Sequence, residues 1–309
     1  MTIHHDNANS TPAAAAGTWR LGDRTVNRVG FGAMRLTGMP WDDKPKDRAD
    51  AIAVLRRAIE LGVDHIDTAA FYFLPTRSAN ELISTALQPY PGDLVLTTKV
   101  GPARSRDGAF EYARPDQLRA QVEENIRQLG LDHLDVVNLR WGAGMDKEPG
   151  SVAEHFGALA ELREAGLIRH LGVSNVSAEQ LAEATAIAPV VCVQNRYGLT
   201  ERQDEALVET CARHGIAFVP FFTVATSLPG ATPHGGHDET GQAEVAKVAK
   251  AHGASPAQVR LAWTLHHGDH ILAIPGTGNR AHLEENIAAG ALRLSDDEMA
   301  LLDGIATAP

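Results

Sequence analysis

Short apolar runs recur along the chain, separated by longer stretches whose apolar residues fall at helical spacing. Eight such runs stand in series: VGFGAM (29–34), VDHIDTA (63–69), LVLTTKV (94–100), LDVVNLRW (134–141), IRHLGVS (168–174), VVCVQN (190–195), IAFVPFF (216–222) and ILAIPGT (271–277). Between them, residues 47–62 carry Ala51, Leu55, Ala58 and Leu61 on one stripe and stop at Gly62. Residues 115–130 start with Pro115 in the first turn and stop at Gly130, the usual placement of proline and glycine at helix ends. Residues 151–166 open with Ser151 and Glu154 three positions on, which predicts a reciprocal capping box. Ser177 is the expected cap of the helix in 177–186.

Runs apolar on both faces, alternating with helices, are the sequence form of a buried parallel sheet. Eight units in one series predict a closed (β/α)8 TIM barrel, and no G-x-G-x-x-G follows the first run as an open dinucleotide-binding sheet would require. Ahead of the barrel, Gly22-Asp23 lies between two short alternating runs and predicts an N-terminal β-hairpin. Residues 1–16, polar and then alanine-rich, are expected to form a disordered tail, and 17–309 one barrel domain.

Composition removes several function classes. With 44% hydrophobic and 22% charged residues, the 309-residue chain can bury a substantial core. Its net charge of −11 and lack of a basic block argue against nucleic acid or an anionic membrane surface as partner. No apolar run is long enough for a membrane helix, and the N-terminus does not read as a secretion signal. Two cysteines, Cys192 and Cys211, make no disulfide framework, so the chain reads as reduced and cytoplasmic. Nothing in the sequence sets an oligomeric state.

In a parallel barrel, reactive groups gather at the carboxyl ends of the strands. That rule selects Asp67, Tyr72, Lys99, Arg140, Ser174, Asn175, Gln194, Asn195, Phe221 and Phe222. Half of the sixteen aromatic residues fall at these strand ends or loops: Trp41, Phe71, Tyr72, Phe73, Trp141, Tyr197, Phe221 and Phe222. An aromatic-lined pocket holding a few polar groups is the usual small-molecule site. Singly, each polar residue has a structural role open to it: Asp67 as a loop cap, Lys99 reaching solvent, Tyr72 in the core, Arg140 in an ion pair with a loop carboxylate. Together they have a joint use. A phenol is a poor acid near pH 7, a neighbouring ammonium strengthens it by stabilising the phenolate, and a carboxylate keeps the ammonium charged and oriented.

HIDTAAFY, TTKVG, GVSN, VQNRY and IPGTGNRAHLEEN, in this order, resemble the aldo-keto reductases over about residues 17–302. The resemblance implies a (β/α)8 barrel that passes hydride between a nicotinamide cofactor, NADPH with NADH as the alternative, and a small carbonyl or alcohol. It makes Tyr72 the proton donor, tuned by Asp67 and Lys99. It assigns Ser174, Asn175 and Gln194 to the nicotinamide carboxamide, Phe221 to stacking on the nicotinamide ring, and Met34 to the cofactor site. Thr277, Asn279 and Arg280 fall at the 2′-phosphate, with Glu285 and Asn286 near the adenine. Trp41, Phe71, Phe73 and Trp141 are expected to line the substrate pocket.

Two positions depart from the family pattern. Arg140, in VVNLRW, stands where histidine is usual, and the chain is similar here to the branch that includes bacterial pyridoxal reductases. An arginine stays charged and only donates, which suits a substrate carrying its own anionic oxygen. Gly276 stands where a lysine is frequent, and His282 where an arginine is. The leading expectation is NADPH-dependent reduction of a small aldehyde or ketone, with pyridoxal as the substrate. The alternatives are a broad aldehyde or sugar-ketone reductase, and a cofactor-binding regulatory or sensor protein. No metal is expected: His234 and His237 lie in a Gly/Pro-rich loop without acidic or cysteine partners at ligand spacing. His266, His267 and His270 read as helix-end residues favoured by the dipole, and Cys192 as core.

Overall fold

The computed structural model describes residues 11–38, 46–74, 77–104, 110–221, 223 and 241–305. A 3-10 turn (Pro12–Ala16) precedes the hairpin strands β1 (Thr18–Leu21) and β2 (Arg24–Asn27). Then follow β3 (Phe31–Gly32), a 3-10 turn (Ala33–Leu36), α1 (Arg48–Glu60), β4 (His65–Asp67), β5 (Phe73–Leu74), β6 (Arg77–Ser78) and α2 (Ala79–Leu87). Next come β7 (Val95–Val100), β8 (Pro102–Arg104), β9 (Phe110–Tyr112), α3 (Leu118–Leu129), β10 (Leu134–Arg140), α4 (Ala153–Glu164), β11 (Ile168–Ser174) and α5 (Ala178–Ile187). The chain ends with β12 (Val190–Gln194), α6 (Glu205–His214), β13 (Ala217–Phe218), α7 (Gln242–His252), α8 (Pro256–His266), α9 (Arg280–Ala288) and α10 (Asp296–Asp303).

Seven strands pair in the order β13-β12-β11-β10-β7-β4-β3, every pair parallel. The eighth apolar run forms no strand of its own, yet it joins the two edges. Parallel bridges link Val29 to Ala273 and Phe218 to Ile271. The Ala273 N–H donates to the Arg28 carbonyl at 2.8 Å, and the Leu272 N–H to Phe218 at 2.9 Å. The ring is therefore the expected (β/α)8 fold, closed by only a few bonds at the eighth run, where Pro275 has no N–H to give to a ladder.

Two apolar clusters explain why the strands read as hydrophobic on both faces. Residues such as Ile66, Leu96, Val137 and Val173 pack outward with the helices. Val95, Val136, Cys192, Ala217 and Leu272 face the barrel interior, where Leu21 and Val26 of the hairpin join them. The hairpin thus plugs the amino-terminal mouth and leaves the carboxyl mouth for chemistry.

The helix signals hold at most ends. Asp47 accepts from the N–H groups of Ala49 and Asp50, Ser177 forms a capping box with Gln180, and Gly130 closes α3 at φ 67°. The capping box expected of Ser151 and Glu154 does not form. The helix starts one residue later with Val152 at its cap position, while the Ser151 hydroxyl donates to Glu183 at 2.5 Å and accepts from the Ala153 N–H. Of the expected tail, residues 1–10 lie outside the described residues, while Pro12–Ala16 forms the 3-10 turn, with Ala13 and Ala16 buried and the Ala13 N–H bonded to the Leu61 carbonyl. Proline fixes the turn, and the small alanines let it lie against the barrel wall.

At the foot of β4 two neighbours titrate with opposite effect. Burial lowers the pKa of His65 to about 4 and raises that of Asp64 to about 6. The unfolded chain binds the His65 proton more readily between pH 6.5 and 4, so this stabilising contribution is complete above pH 6.5 and is lost on acidification. The full loss is on the order of 3 kcal/mol. Asp64 acts in the reverse sense, because its folded form takes up a proton first. His65→Leu is therefore expected to shrink the drop in Tm between pH 7.5 and pH 5. Thermal unfolding at both pH values checks it, and an unchanged drop removes His65 from the acid response.

Candidate active site

Asp67 ends β4 and Lys99 is the penultimate residue of β7, the next strand in the ring, and both side chains turn into the barrel. Lys99 Nζ donates to Asp67 Oδ1 at 2.5 Å and to the Thr68 carbonyl at 3.1 Å. Only 4% of either residue is exposed. Burial works against the Lys99 charge, but the Asp67 carboxylate and the Tyr72 hydroxyl outweigh it and hold the ammonium above its usual pKa. Tyr72 sits in the turn after β4, fixed by its N–H on the Ala69 carbonyl and its own carbonyl on the Ala79 N–H. Lys99 Nζ lies 4.9 Å from the Tyr72 ring centre, and Phe71 packs edge-on against the same ring at 5.1 Å. Asp67, Tyr72 and Lys99, separated in sequence, thus form one cluster.

Gln194 completes it from across the barrel. Its Nε2 donates to Asp67 Oδ2 at 2.8 Å, so both carboxylate oxygens are engaged. Its Oε1 is buried without a hydrogen-bond partner, an arrangement that ordinarily marks a ligand or water contact.

Arg140 ends β10 at the same mouth and is 9% exposed. It donates to the Gly144 carbonyl at 2.8 Å, to Ser174 Oγ at 3.5 Å and weakly to Met145 Sδ, and stacks over the Phe221 ring at 5.6 Å. Among the described residues these partners are neutral, and none is the loop carboxylate that was open at the outset. Burial pushes its pKa down, opposed by Tyr72, while Arg196 adds a like charge.

Ser174 ends β11 beside it, and Asn175 follows directly. Asn175 adopts the left-handed φ of 61° and donates from Nδ2 to the Trp141 and Asp146 carbonyls. Such a backbone is uncommon outside glycine and locates a constrained turn. Asn195 holds loops together through Val176 and Asp204, a structural duty. Met34 lies half-buried in the 3-10 turn after β3. Trp141 is buried, donates from Nε1 to the Glu148 carbonyl and packs edge-on to Tyr112 and His155. Phe73 is 37% exposed. Trp41, Phe222, His234 and His237 lie outside the described residues.

At the far end, Asn279 caps α9 by accepting from the N–H groups of Ala281 and His282. Thr277 is buried and accepts from the Asn279 N–H. Arg280 is exposed, 3.7 Å from Glu284; Glu285 is exposed and Asn286 buried. The glycine at 276 has a steric reason: a Cβ there would stand 2.4 Å from the Gly32 carbonyl oxygen. No side chain fits where β3 and the eighth run approach so closely.

Among the histidines, burial lowers the pKa of both His267 and His270, against the positive charge that a helix dipole favours. Cys192 is core, and burial pushes its thiol far up. Sequence reading missed Asn80 and Asn125, which are wholly buried behind the cluster; lying on helices, they read as solvated polar positions. Among the described residues no group of three or more His, Cys, Asp or Glu could hold a metal, and no helix is long and apolar enough to cross a membrane.

A family model described as the aldo/keto reductase family matches residues 28–307. The chain is 45% identical to a pyridoxine 4-dehydrogenase of Escherichia coli over 294 residues, 94% of this chain and 99% of that one. It is 37% identical to an uncharacterized oxidoreductase of Schizosaccharomyces pombe, over 96% of this chain and 92% of that one. The crystal structure of an aldo/keto reductase from Klebsiella pneumoniae in complex with NADP and acetate superposes with a TM-score of 0.74 at 27% identity, covering 93% of this chain and 94% of that one. The chain belongs to the aldo/keto reductase family, NADP-dependent oxidoreductases that interconvert carbonyl and alcohol groups.

Proposed function

We propose that the chain reduces pyridoxal to pyridoxine, with Tyr72 giving the proton to the carbonyl oxygen and Arg140 receiving the adjacent phenolate. The observation that carries this reading is Arg140, a buried guanidinium whose bonded partners are a carbonyl, a hydroxyl and a thioether. Among the described residues no carboxylate is bonded to this guanidinium; a buried cation so placed is costly, and an anionic substrate oxygen offsets that cost. Pyridoxal carries a phenolate beside its aldehyde, and the planar fork of an arginine serves two oxygens at once. The relative named as a pyridoxine 4-dehydrogenase supports the same substrate.

NADPH, when bound, supplies the hydride for the carbonyl carbon. Tyr72 protonates the oxygen as it gains charge, the Lys99 ammonium steadies the phenolate left behind, and Asp67 keeps that ammonium in place. The residues fit a nicotinamide. Gln194 Oε1 is an orphaned buried acceptor of the kind a carboxamide N–H requires, and Ser174 at the end of the neighbouring strand and Asn175 just after it stand alongside. In the same reading Phe221 stacks on the ring, Met34 lines the cofactor site, Thr277, Asn279 and Arg280 meet the 2′-phosphate, and Glu285 and Asn286 meet the adenine. Phe71, Phe73 and Trp141 border the substrate space. Steady-state rates with NADPH and a panel of pyridoxal, neutral aromatic aldehydes and sugar ketones test the proposal. Pyridoxal is expected to have the highest kcat/KM; a flat panel makes the chain a broad reductase, and binding of NADPH without turnover makes it a sensor.

With Arg280 present but no lysine at 276, NADPH is expected to bind tighter than NADH by about ten- to a hundredfold, roughly 1.4 to 2.8 kcal/mol. Arg280→Ala narrows that gap. Fluorescence titration of both cofactors on both proteins measures it, and equal wild-type affinities would overturn the assignment.

A further inference from the structure

Behind the cluster lies a chain of buried polar groups that the chemistry above does not use. Thr68 follows Asp67 and Thr98 precedes Lys99, and alternation along a strand turns their side chains outward as the catalytic pair turns inward. Thr68 Oγ1 donates to Asn80 Oδ1 at 2.7 Å, and Thr98 Oγ1 to Asn125 Oδ1 at 2.6 Å. Asn80 Nδ2 joins the two halves by donating to Asn125 Oδ1 at 3.0 Å, and also to Gln128 Oε1 at 3.0 Å. Asn125 Nδ2 donates to the Gln121 carbonyl at 2.9 Å. All four residues are at most 1% exposed, and none of their side-chain atoms is left without a partner. A fully satisfied buried network is rigid and holds its members in one geometry. This one also stands beside a cavity of about 750 Å³ between α2 and α3, whose walls include Asn125, Gln128 and Lys99.

We propose that Thr68, Asn80, Asn125 and Thr98 act as positioning residues that set the inward aim of Asp67 and Lys99 and, through them, the acid strength of Tyr72. The inference rests on the roles assigned above to those three residues. The link to the reacting groups is short, since Lys99 Nζ donates to the carbonyl of Thr68, the residue that Asn80 anchors. Among the described residues the charged and titratable groups facing Lys99 are Asp67 from β4, Tyr72 from the turn after it and Cys192 from β12, with Arg140 of β10 acting on Asp67 and Tyr72. Arg48, Arg77, Glu81 and Glu124 border the adjoining cavity. Loosening the clamp moves the ammonium away from the phenol, so the phenolate is less stabilised and the proton is held more tightly.

The test compares Thr68→Val, Thr98→Val and Thr68→Ser, with Tyr72→Phe as companion. Both valine variants remove one hydroxyl and keep the branched shape. They are expected to lower kcat/KM for benzaldehyde with NADPH by about tenfold. They are also expected to move the alkaline limb of its pH profile upward by at least about half a pH unit, with NADPH affinity unchanged. Thr68→Ser, which keeps the hydroxyl, is expected to retain the wild-type profile. Thr98→Val is the milder change, because Asn125 Oδ1 still receives Asn80 Nδ2, and it decides the matter should Thr68→Val fail to fold. A lowered Tm with an unmoved alkaline limb overturns the proposal. If Tyr72→Phe keeps its rate, the catalytic reading itself falls; if Tyr72→Phe is inactive and the valine limbs stay put, only the positioning role does.

Discussion

Tyr72→Phe is expected to lower kcat at least about a hundredfold, the lower end of what a positioned general acid contributes. The phenol is the one hydroxyl of the cluster placed to give up a proton. Asp67 has both oxygens engaged, by Lys99 and by Gln194, and Lys99 is held as an ammonium between Asp67, the Thr68 carbonyl and the ring of Tyr72. Taking the hydroxyl away leaves a phenyl ring of the same shape, so Phe71 keeps its edge contact and the pocket keeps its walls. NADPH affinity should therefore stay within about twofold, since less than about 0.4 kcal/mol of binding is at stake. Single-turnover rates together with fluorescence titration of NADPH separate the two quantities. A variant that retains half the wild-type rate would mean that Tyr72 only lines the pocket.

The architecture was legible where one physical rule acted alone. The runs 94–100, 134–141 and 168–174 became the long strands β7, β10 and β11, because residues buried on both faces leave no polar alternation to misread. The outer runs contribute only two-residue strands, β3 and β13, and the eighth only bridges. There the backbone turns away early, at glycine and proline, while the apolar pattern continues into the loop. Ser151 misled for a different reason: the distant Glu183 accepts from its hydroxyl and from the Val152 N–H, and the hydroxyl oxygen takes the Ala153 N–H in place of that of Glu154, and no local signal reveals that.

Within the site, strand-end placement located Asp67, Tyr72, Lys99, Arg140 and Gln194, since a barrel gathers whatever ends its strands. Asn80 and Asn125 were not legible. A polar residue on an amphipathic helix reads as solvated, and only the meeting of α2 and α3 against Thr68 and Thr98 buries the pair. The reason for glycine at 276 was hidden likewise, because it lies in the backbone of β3, more than two hundred residues earlier in the chain.

Arg140→His is expected to cost pyridoxal far more than it costs a neutral aromatic aldehyde. The arginine presents charge at any working pH and donates through a planar fork. Histidine restores one donor to the carbonyl but supplies no dependable charge to a neighbouring phenolate. One lost charge-assisted hydrogen bond corresponds to roughly 1.5–3 kcal/mol, so kcat/KM for pyridoxal should fall about ten- to a hundredfold. The substitution also removes the bond from Arg140 to the Gly144 carbonyl and the stacking on Phe221, and any slackening of that loop touches both substrates alike. The ratio of kcat/KM values for pyridoxal and benzaldehyde cancels this shared loss and isolates the anionic oxygen. A ratio shifted toward benzaldehyde in the variant supports recognition of the phenolate by Arg140. An unchanged ratio, with both rates falling in parallel, would mean that the guanidinium shapes the mouth of the barrel and does not choose the substrate.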